Sequence, residues 1–120
     1  MLLSVIIPCY NEQEVLPVFY QEFKKVMQDM PAEYELLFID DGSKDGTLEI
    51  LRSLSRKDSH VSYLSFSRNF GKEAAMYAGF CNADGDYVAV MDADMQDPPS
   101  LLPIMIDILK KGKWEKMGFI

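Results

Sequence analysis

The sequence lacks the features that mark several classes of protein. Its 120 residues contain no apolar run near the ~20 residues of a membrane-spanning helix. The opening MLL also lacks the basic start of a signal peptide. There are two cysteines and one histidine, and Cys9 and Cys81 form no CxxC or Cys/His metal pattern. Both cysteines lie among apolar residues, which predicts buried, reduced thiols and a cytoplasmic protein.

Positive charge is also scarce. Twelve lysines and arginines face 19 aspartates and glutamates, so the formal net charge is −7. No basic patch offsets this excess, and we therefore expect no nucleic-acid partner. The composition, with 48% hydrophobic and 26% charged residues, is that of one small globular domain.

Apolar runs of strand length alternate with helical periodicity along the chain. This alternation predicts an α/β fold, a Rossmann-like parallel sheet with helices on both faces. We expect Pro8 to limit further pairing of the first strand. Asp45 or Thr47 is expected to cap the second helix. The predicted domain covers residues 1–111, with an irregular tail at 112–120. The predicted strands are 3–8, 35–40, 61–66 and 87–91, and the first and last helices begin near 14–16 and 100.

Polar clusters follow each predicted strand. In open parallel sheets, ligands bind outside the carboxyl ends of the strands. Because a polar cluster follows each of the four predicted strands, we expect a ligand site at the carboxyl ends of the strands. The clusters lie at residues 10–12, 40–41, 68–72 and 92–97.

The acidic cluster after the fourth strand contains Asp92, Asp94 and Gln96. Residues two apart in an extended chain point the same way, so these three side chains are expected to present their oxygens to one point. Hard divalent cations prefer such oxygen ligands, and a small one usually also binds phosphate. The alternative is an acidic turn, with Asp97 held extended by the two prolines that follow it.

The polar residues of the other clusters have two interpretations. Asp41 lies past the end of the second strand, where we expect slight burial, and it serves either a ligand or a turn. Arg68 and Lys72 suit an anionic ligand, or else a salt bridge to Asp41 or Glu73. His60 has no partner in the sequence and is expected at the surface.

Four segments, in this order, resemble the family 2 glycosyltransferases of the GT-A fold, above all the polyprenyl-phosphate sugar transferases. They are VIIPCYNE (5–12), FIDDGSKDGT (38–47), SRNFGKEAAMYAG (67–79) and DADMQDPP (92–99). The resemblance implies transfer of a sugar, with inversion, from a nucleoside-diphosphate sugar such as a UDP- or GDP-sugar. It also implies a polyprenyl phosphate acceptor at the cytoplasmic face of a membrane.

The resemblance also implies roles for individual residues. Asp41 would accept a hydrogen bond from the base, and Arg68 and Lys72 would lie near the phosphates. Asp92 and Asp94 would carry catalysis through a bound Mg²⁺ or Mn²⁺, with Gln96 as a further ligand. The residues implied to border the nucleotide are Pro8, Tyr10 and Glu12.

Members of this family continue past the last predicted helix, so the chain resembles only their donor-binding part. We therefore expect a chain that binds the donor without turnover, with an open sheet edge that favours self-association. The alternative is a non-catalytic fragment that binds a nucleotide or a partner. A phospho-receiver domain needs its acid pair after the first strand, where Asn11 and Glu12 stand. A Rossmann dehydrogenase needs a GxGxxG there.

Overall fold

Strands and helices alternate along the chain in the computed structural model, which describes residues 1–30, 32–96 and 98–110. The predicted tail at 112–120 and Asp97 lie outside the described residues. A short 3₁₀ turn, Pro99–Leu101, precedes the last helix. The elements are β1 (Leu2–Cys9), α1 (Leu16–Gln28), β2 (Glu33–Asp40), α2 (Thr47–Lys57), β3 (Val61–Ser65), α3 (Lys72–Asn82), β4 (Tyr87–Val90) and α4 (Leu102–Lys110).

The four strands form one parallel sheet in the order β3-β2-β1-β4. The β1–β2 ladder runs from Leu2 opposite Glu33 to Cys9 opposite Asp40. Parallel pairing requires crossover connections, and α1, α2 and α3 supply them. The predicted Rossmann-like sheet is confirmed. Within the described residues β4 pairs with β1 alone, and self-association through its other edge stays a prediction.

Pro8 lies inside β1 rather than at its end. Pairing of β1 with β4 stops at Ile6, whereas pairing with β2 continues through Pro8 to Cys9. Because proline lacks a backbone N–H, it is tolerated where a strand has a neighbour on one side only. The expectation that Pro8 ends the ladder is wrong on the β2 side, where Cys9 O also accepts the Asp41 N–H at 2.8 Å.

Each face of the sheet is covered by its own apolar cluster. Val5 and Phe38 point towards the helices that carry Phe19 and Leu51, in α1 and α2. Alternate strand residues, including Ile6 and Ile39, point to the other face, where α3 packs. Glycine at position 79 allows α3 this close approach, since a Cβ there would lie 2.5 Å from the Ile6 side chain. The prediction of helices on both faces is confirmed.

The first two helices begin close to the predicted positions. Helix α1 begins at Leu16, with a proline in its first turn, as predicted. Helix α2 begins at Thr47, and the residue in the cap position is Gly46. The prediction that Asp45 or Thr47 occupies the cap position is therefore wrong. Asp45 still satisfies the helix end, because its Oδ1 accepts the Thr47 N–H at 2.9 Å.

The two cysteines differ in exposure. Cys9 is buried at the end of β1, and burial, with the carboxylates of Glu12 and Asp40, raises the pKa of its thiol well above the ordinary value. Cys81 is exposed, so the prediction of two buried cysteines is wrong for this one. It lies on α3, whose buried residues are Ala75 and Gly79, and it is not on the face that packs against the sheet. Across the described chain, no helix is both long and apolar enough to cross a membrane.

Candidate functional site

A pocket of about 260 Å³ opens at the carboxyl ends of β1, β2 and β4. This is the edge of the sheet where the sequence predicted a ligand site. Loops from three strands and the first turn of α3 contribute to its wall. The pocket is lined by Pro8, Cys9, Tyr10, Glu12, Asp41, Lys72, Asp92, Asp94 and Gln96.

The lining includes every predicted site residue except Arg68. That residue borders a second cavity of about 460 Å³, which lies between the loops that follow β2 and β3. Its guanidinium lies over the Phe70 ring, 4.3 Å from the centroid. Tyr10 borders both cavities and is 42% exposed, so its ring is available to a ligand that spans them.

Asp41 is buried, with only 4% of its surface exposed. Its Oδ1 accepts the Phe70 N–H at 2.7 Å, and its Oδ2 accepts the Gly71 N–H at 3.1 Å and an Asn69 side-chain N–H at 3.3 Å. The predicted slight burial is therefore wrong, because the loop after β3 folds over this carboxylate. Gly42 permits that approach, since a Cβ there would lie 2.2 Å from the Arg68 carbonyl carbon.

The chain after β4 forms a turn rather than the predicted extended segment. The Met95 N–H donates to Asp92 O at 3.2 Å, and Asp94 Oδ1 accepts the Gln96 N–H at 3.3 Å. Met95 has a φ of 60°, in the left-handed region that side-chain-bearing residues rarely adopt. The premise of same-side spacing is wrong, yet Asp92, Asp94 and Gln96 all line the pocket.

Lys72 crosses the pocket to the acidic turn. Its Nζ lies 2.8 Å from Asp92 Oδ1, and the two side chains are 59% and 30% exposed. The sequence suggested Asp41 or Glu73 as salt-bridge partners, and the lysine pairs with Asp92 instead. The reason is that Lys72 begins α3 at the same sheet edge as the end of β4.

Negative charge is concentrated around Glu12. Burial raises the pKa of its carboxyl, and the carboxylates of Asp94, Asp92 and Asp45 raise it further. Mutual repulsion of this kind favours a bound cation, since like charges in a partly buried site interact strongly. Among the nine lining residues, Lys72 is the one that carries a positive charge.

Residues 4–113 match the family model for glycosyl transferase family 2. The chain belongs to glycosyl transferase family 2. This confirms the family that the four sequence segments indicated.

Two sequence relatives and one solved structure agree with this assignment to family 2. The glycosyltransferase YkcC of Bacillus subtilis is 48% identical over 109 residues, covering 91% of this chain and 34% of the relative. A bactoprenol glucosyl transferase of Shigella phage SfV is 44% identical over 115 residues, which cover 96% of this chain and 36% of the relative. TarS of S. aureus, solved with UDP, superposes with a TM-score of 0.76 at 25% identity. The superposition covers 92% of this chain and 32% of TarS. The chain thus spans about a third of the length of these relatives.

The acidic turn of this family 2 chain presents oxygen-bearing side chains to the pocket. Its side-chain donors are oxygens, which suit Mg²⁺ or Mn²⁺. Across residues 1–30, 32–96 and 98–110, no three His, Cys, Asp or Glu side chains are arranged to hold a metal ion.

The sequence did not reveal what holds the pocket wall of this family 2 chain. The backbone N–H groups of Phe70 and Gly71 fix Asp41, and the side chains of Asn11 and Gln13 bind the neighbouring loop. Backbone donors leave no trace in residue type. The family resemblance placed Glu12 beside the nucleotide and implied no role for Asn11 or Gln13.

Proposed function

We propose that this chain is the donor-binding part of a glycosyltransferase that transfers a sugar from a nucleoside-diphosphate sugar to a polyprenyl phosphate. The observation that carries the proposal is the composition of the pocket, which combines residues from the ends of β1 and β2 with acidic residues from the end of β4. The similarity to TarS solved with UDP supports a nucleoside-diphosphate donor. The Shigella phage relative, named for bactoprenol, supports the lipid acceptor.

The nucleotide is assigned to the β1 and β2 side of the pocket. Pro8, Tyr10 and Glu12 border it, and Tyr10 offers an exposed ring at the junction of the two cavities. Asp41 accepts a hydrogen bond from the base. A carboxylate has about four lone-pair sites. The hydrogen bonds from the loop after β3 fix the orientation of the Asp41 carboxylate, and this orientation favours a directional contact with the base.

The diphosphate is assigned to the β4 side of the pocket. Asp92, Asp94 and Gln96 would hold Mg²⁺ or Mn²⁺ there, and the ion would supply Lewis-acid stabilisation of the leaving group. Lys72 lies at the same place and can exchange its contact with Asp92 for one with phosphate. Arg68 approaches the phosphates from the neighbouring cavity.

Charge accounts for the proposed reaction. Departure of a nucleoside diphosphate from the anomeric carbon leaves negative charge on its phosphates, close to Lys72. The acceptor, a phosphate monoester, is already an anion at neutral pH because its second pKa is about 6. Such a nucleophile needs little help from a general base, and a single displacement would invert the anomeric centre. Because the acceptor is a lipid, we propose that transfer occurs at the cytoplasmic face of a membrane.

Calorimetric titration with UDP and GDP, each with and without Mn²⁺, tests the donor site. We expect binding of at least one nucleotide, strengthened about tenfold by Mn²⁺, and weak Mn²⁺ binding in the absence of nucleotide, because the protein supplies few ligands. The double variant Asp92→Ala/Asp94→Ala should lose the Mn²⁺ effect. Asp29→Ala, at an exposed position at the end of α1, is the control. Absence of nucleotide binding, or a Mn²⁺ effect that survives the double variant, would contradict the proposal.

Transfer is tested separately from binding. A radiolabelled-donor assay with detergent-solubilised undecaprenyl phosphate measures turnover by this chain. We expect donor binding with little transfer from these 120 residues and robust transfer once a relative's remaining two-thirds is joined to them. Binding without transfer in both proteins would favour the non-catalytic alternative. The domain boundary at residue 111 stays a prediction.

A further inference from the structure

The two loops beside the nucleotide side of the pocket are hydrogen-bonded to each other through side chains. They are the β1–α1 loop (residues 10–15) and the β2–α2 loop (residues 41–46). The Asn11 N–H donates to Ser43 Oγ at 2.9 Å, and Asn11 Oδ1 accepts the Lys44 N–H at 2.9 Å. One asparagine therefore binds the other loop with its backbone and its side chain.

Gln13 repeats this arrangement one step further along the loop. Its Oε1 accepts the Gly46 N–H at 2.6 Å, and its own N–H donates to Asp45 Oδ2 at 3.3 Å. A Cβ at position 46 would lie 2.8 Å from Gln13 Oε1, so a larger residue there would displace the glutamine amide. Between these two pairs, the Glu12 N–H donates to Thr47 Oγ1 at 2.8 Å.

The side chains that bond to the neighbouring loop are not those that line the pocket. Tyr10 and Glu12 line the pocket, whereas Asn11 and Gln13 line a separate hollow, which Glu12 also borders. Asn11 has a φ of 52°, a left-handed conformation that reverses the local course of the chain. Such a conformation persists only where its surroundings hold it, and asparagine tolerates it better than most residues.

We infer that Asn11 and Gln13 are positioning residues, which hold Tyr10 and Glu12 in the geometry that binds the nucleotide without contacting it themselves. The inference rests on the proposed function. Its physical basis is preorganisation, because a loop that is ordered before the ligand arrives loses no further conformational entropy on binding. Ordering the backbone of one residue costs roughly one order of magnitude in an equilibrium constant.

The experiment measures loop order and nucleotide affinity in the same proteins. Amide hydrogen exchange reports on the Lys44 and Gly46 N–H groups, and calorimetry with Mn²⁺ and UDP or GDP gives the Kd. We expect Asn11→Ala to expose the Lys44 amide and to raise the Kd about tenfold. For Gln13→Ala we expect exposure of the Gly46 amide and a smaller rise in Kd. Circular dichroism checks that each variant is folded at the temperature of the titration.

Three further variants separate positioning from general stability. Asn11→Asp restores an acceptor and should return protection to the Lys44 amide. Asn82→Ala, which removes an asparagine side chain bonded to the Ala78 carbonyl on α3, should leave both amides and the Kd unchanged. Asp58→Ala is expected to destabilise the fold far from these loops, and it should bind nucleotide as the parent does.

Each result bears on one claim. A parent chain that binds neither UDP nor GDP overturns the proposed function, and with it the role of these loops in binding. Nucleotide binding that is unchanged in both Asn11→Ala and Gln13→Ala overturns the positioning inference alone. The inference also fails if Asp58→Ala weakens binding as much as Asn11→Ala does, because stability would then explain the loss.

Discussion

Buried or crowded carboxylates lie at both ends of the sheet, in opposite electrostatic surroundings. At the amino end, Asp58 follows α2 and is buried. It accepts the Tyr20 hydroxyl at 2.6 Å, Lys24 Nζ at 3.2 Å and the His60 N–H at 3.0 Å, with His60 Nδ1 at 2.8 Å. Burial opposes its ionisation, but these donors outweigh burial and hold the pKa of Asp58 well below its ordinary value. Burial and Asp58 together raise the pKa of Tyr20 to about 12.

At the carboxyl end, Glu12 has acidic neighbours in place of donors, and its pKa is raised. Lys72 pairs with Asp92, one of these acidic neighbours, and the two side chains are 59% and 30% exposed. A buried carboxylate that is paired with hydrogen-bond donors and a cation stabilises the fold, whereas a cluster of carboxylates without such partners indicates a ligand site. Asp41 combines the two, since it lines the pocket and accepts three N–H groups from the loop after β3.

The largest expected effect is on stability at the amino end. Asp58→Ala removes the hydrogen-bond partner of three side chains and one backbone group, and we expect a loss of about 2–4 kcal/mol in the free energy of unfolding. Asp94→Ala, at the carboxyl end, should change it by less than about 0.5 kcal/mol. Urea unfolding at pH 7 measures both. Equal losses in the two variants would break the distinction between the two ends.

Asp41 is expected to affect both stability and binding. Asp41→Asn keeps one acceptor oxygen but turns an NH₂ group towards backbone N–H donors, and we expect about 2 kcal/mol of destabilisation. Nucleotide affinity should fall as well, because the loop after β3 would move with it. The two measurements are urea unfolding and calorimetry. Unchanged stability would show that the buried hydrogen bonds of Asp41 contribute nothing net.

Acid should affect the amino end selectively. Because the pKa of Asp58 is lower in the folded chain than in the unfolded one, folding favours the ionised carboxylate. Its contribution to stability is fully present above the ordinary pKa of about 3.9 and is lost as the pH falls below that value. The urea midpoint of the parent should therefore fall more steeply between about pH 4 and pH 2 than that of Asp58→Asn. If the urea midpoints of the parent and Asp58→Asn fell in parallel with pH, the ionised Asp58 carboxylate would not contribute to stability as we propose.

The smallest effect concerns the Lys72–Asp92 pair. Exposed ion pairs are worth about 0–1 kcal/mol, so removing the lysine should free Asp92 only modestly. We expect Lys72→Met to strengthen Mn²⁺ binding in the absence of nucleotide about two- to fivefold, and to weaken UDP or GDP binding without metal. Calorimetry measures both directions. Weaker Mn²⁺ binding in this variant would show that Lys72 does not compete for Asp92.

The sheet and the location of the site could be predicted from sequence because both depend on local patterns. Apolar runs ended by turn residues fixed the strands, and parallel topology then brought Tyr10, Asp41, Lys72 and Asp92 to one edge. The burial of Asp41 was not predictable, because its partners lie 28 to 30 residues further along the chain and two of them are backbone groups.

The shape of the acidic turn was also beyond the sequence pattern. Spacing of two indicates a shared face only if the chain is extended, and Met95 reverses the chain with its left-handed backbone. Nothing in a methionine side chain favours that conformation. The exposure of Cys81 was missed for a similar reason, since α3 is rich in small apolar residues on several sides and the sequence alone does not show which side packs.

The position of β1 between β2 and β4 indicates the order in which the strands assemble during folding. Its contacts with β2 join segments about thirty residues apart, whereas the Leu2 N–H donates to a carboxylate of Asp86, 84 positions away. Closing longer loops costs more chain entropy, and non-local strand pairing slows folding. We therefore expect β1, β2 and β3 to assemble first and β4 to dock last. Because Asp92 and Asp94 follow β4, the pocket is complete only after this final step, and nucleotide binding during refolding should lag behind the appearance of secondary structure.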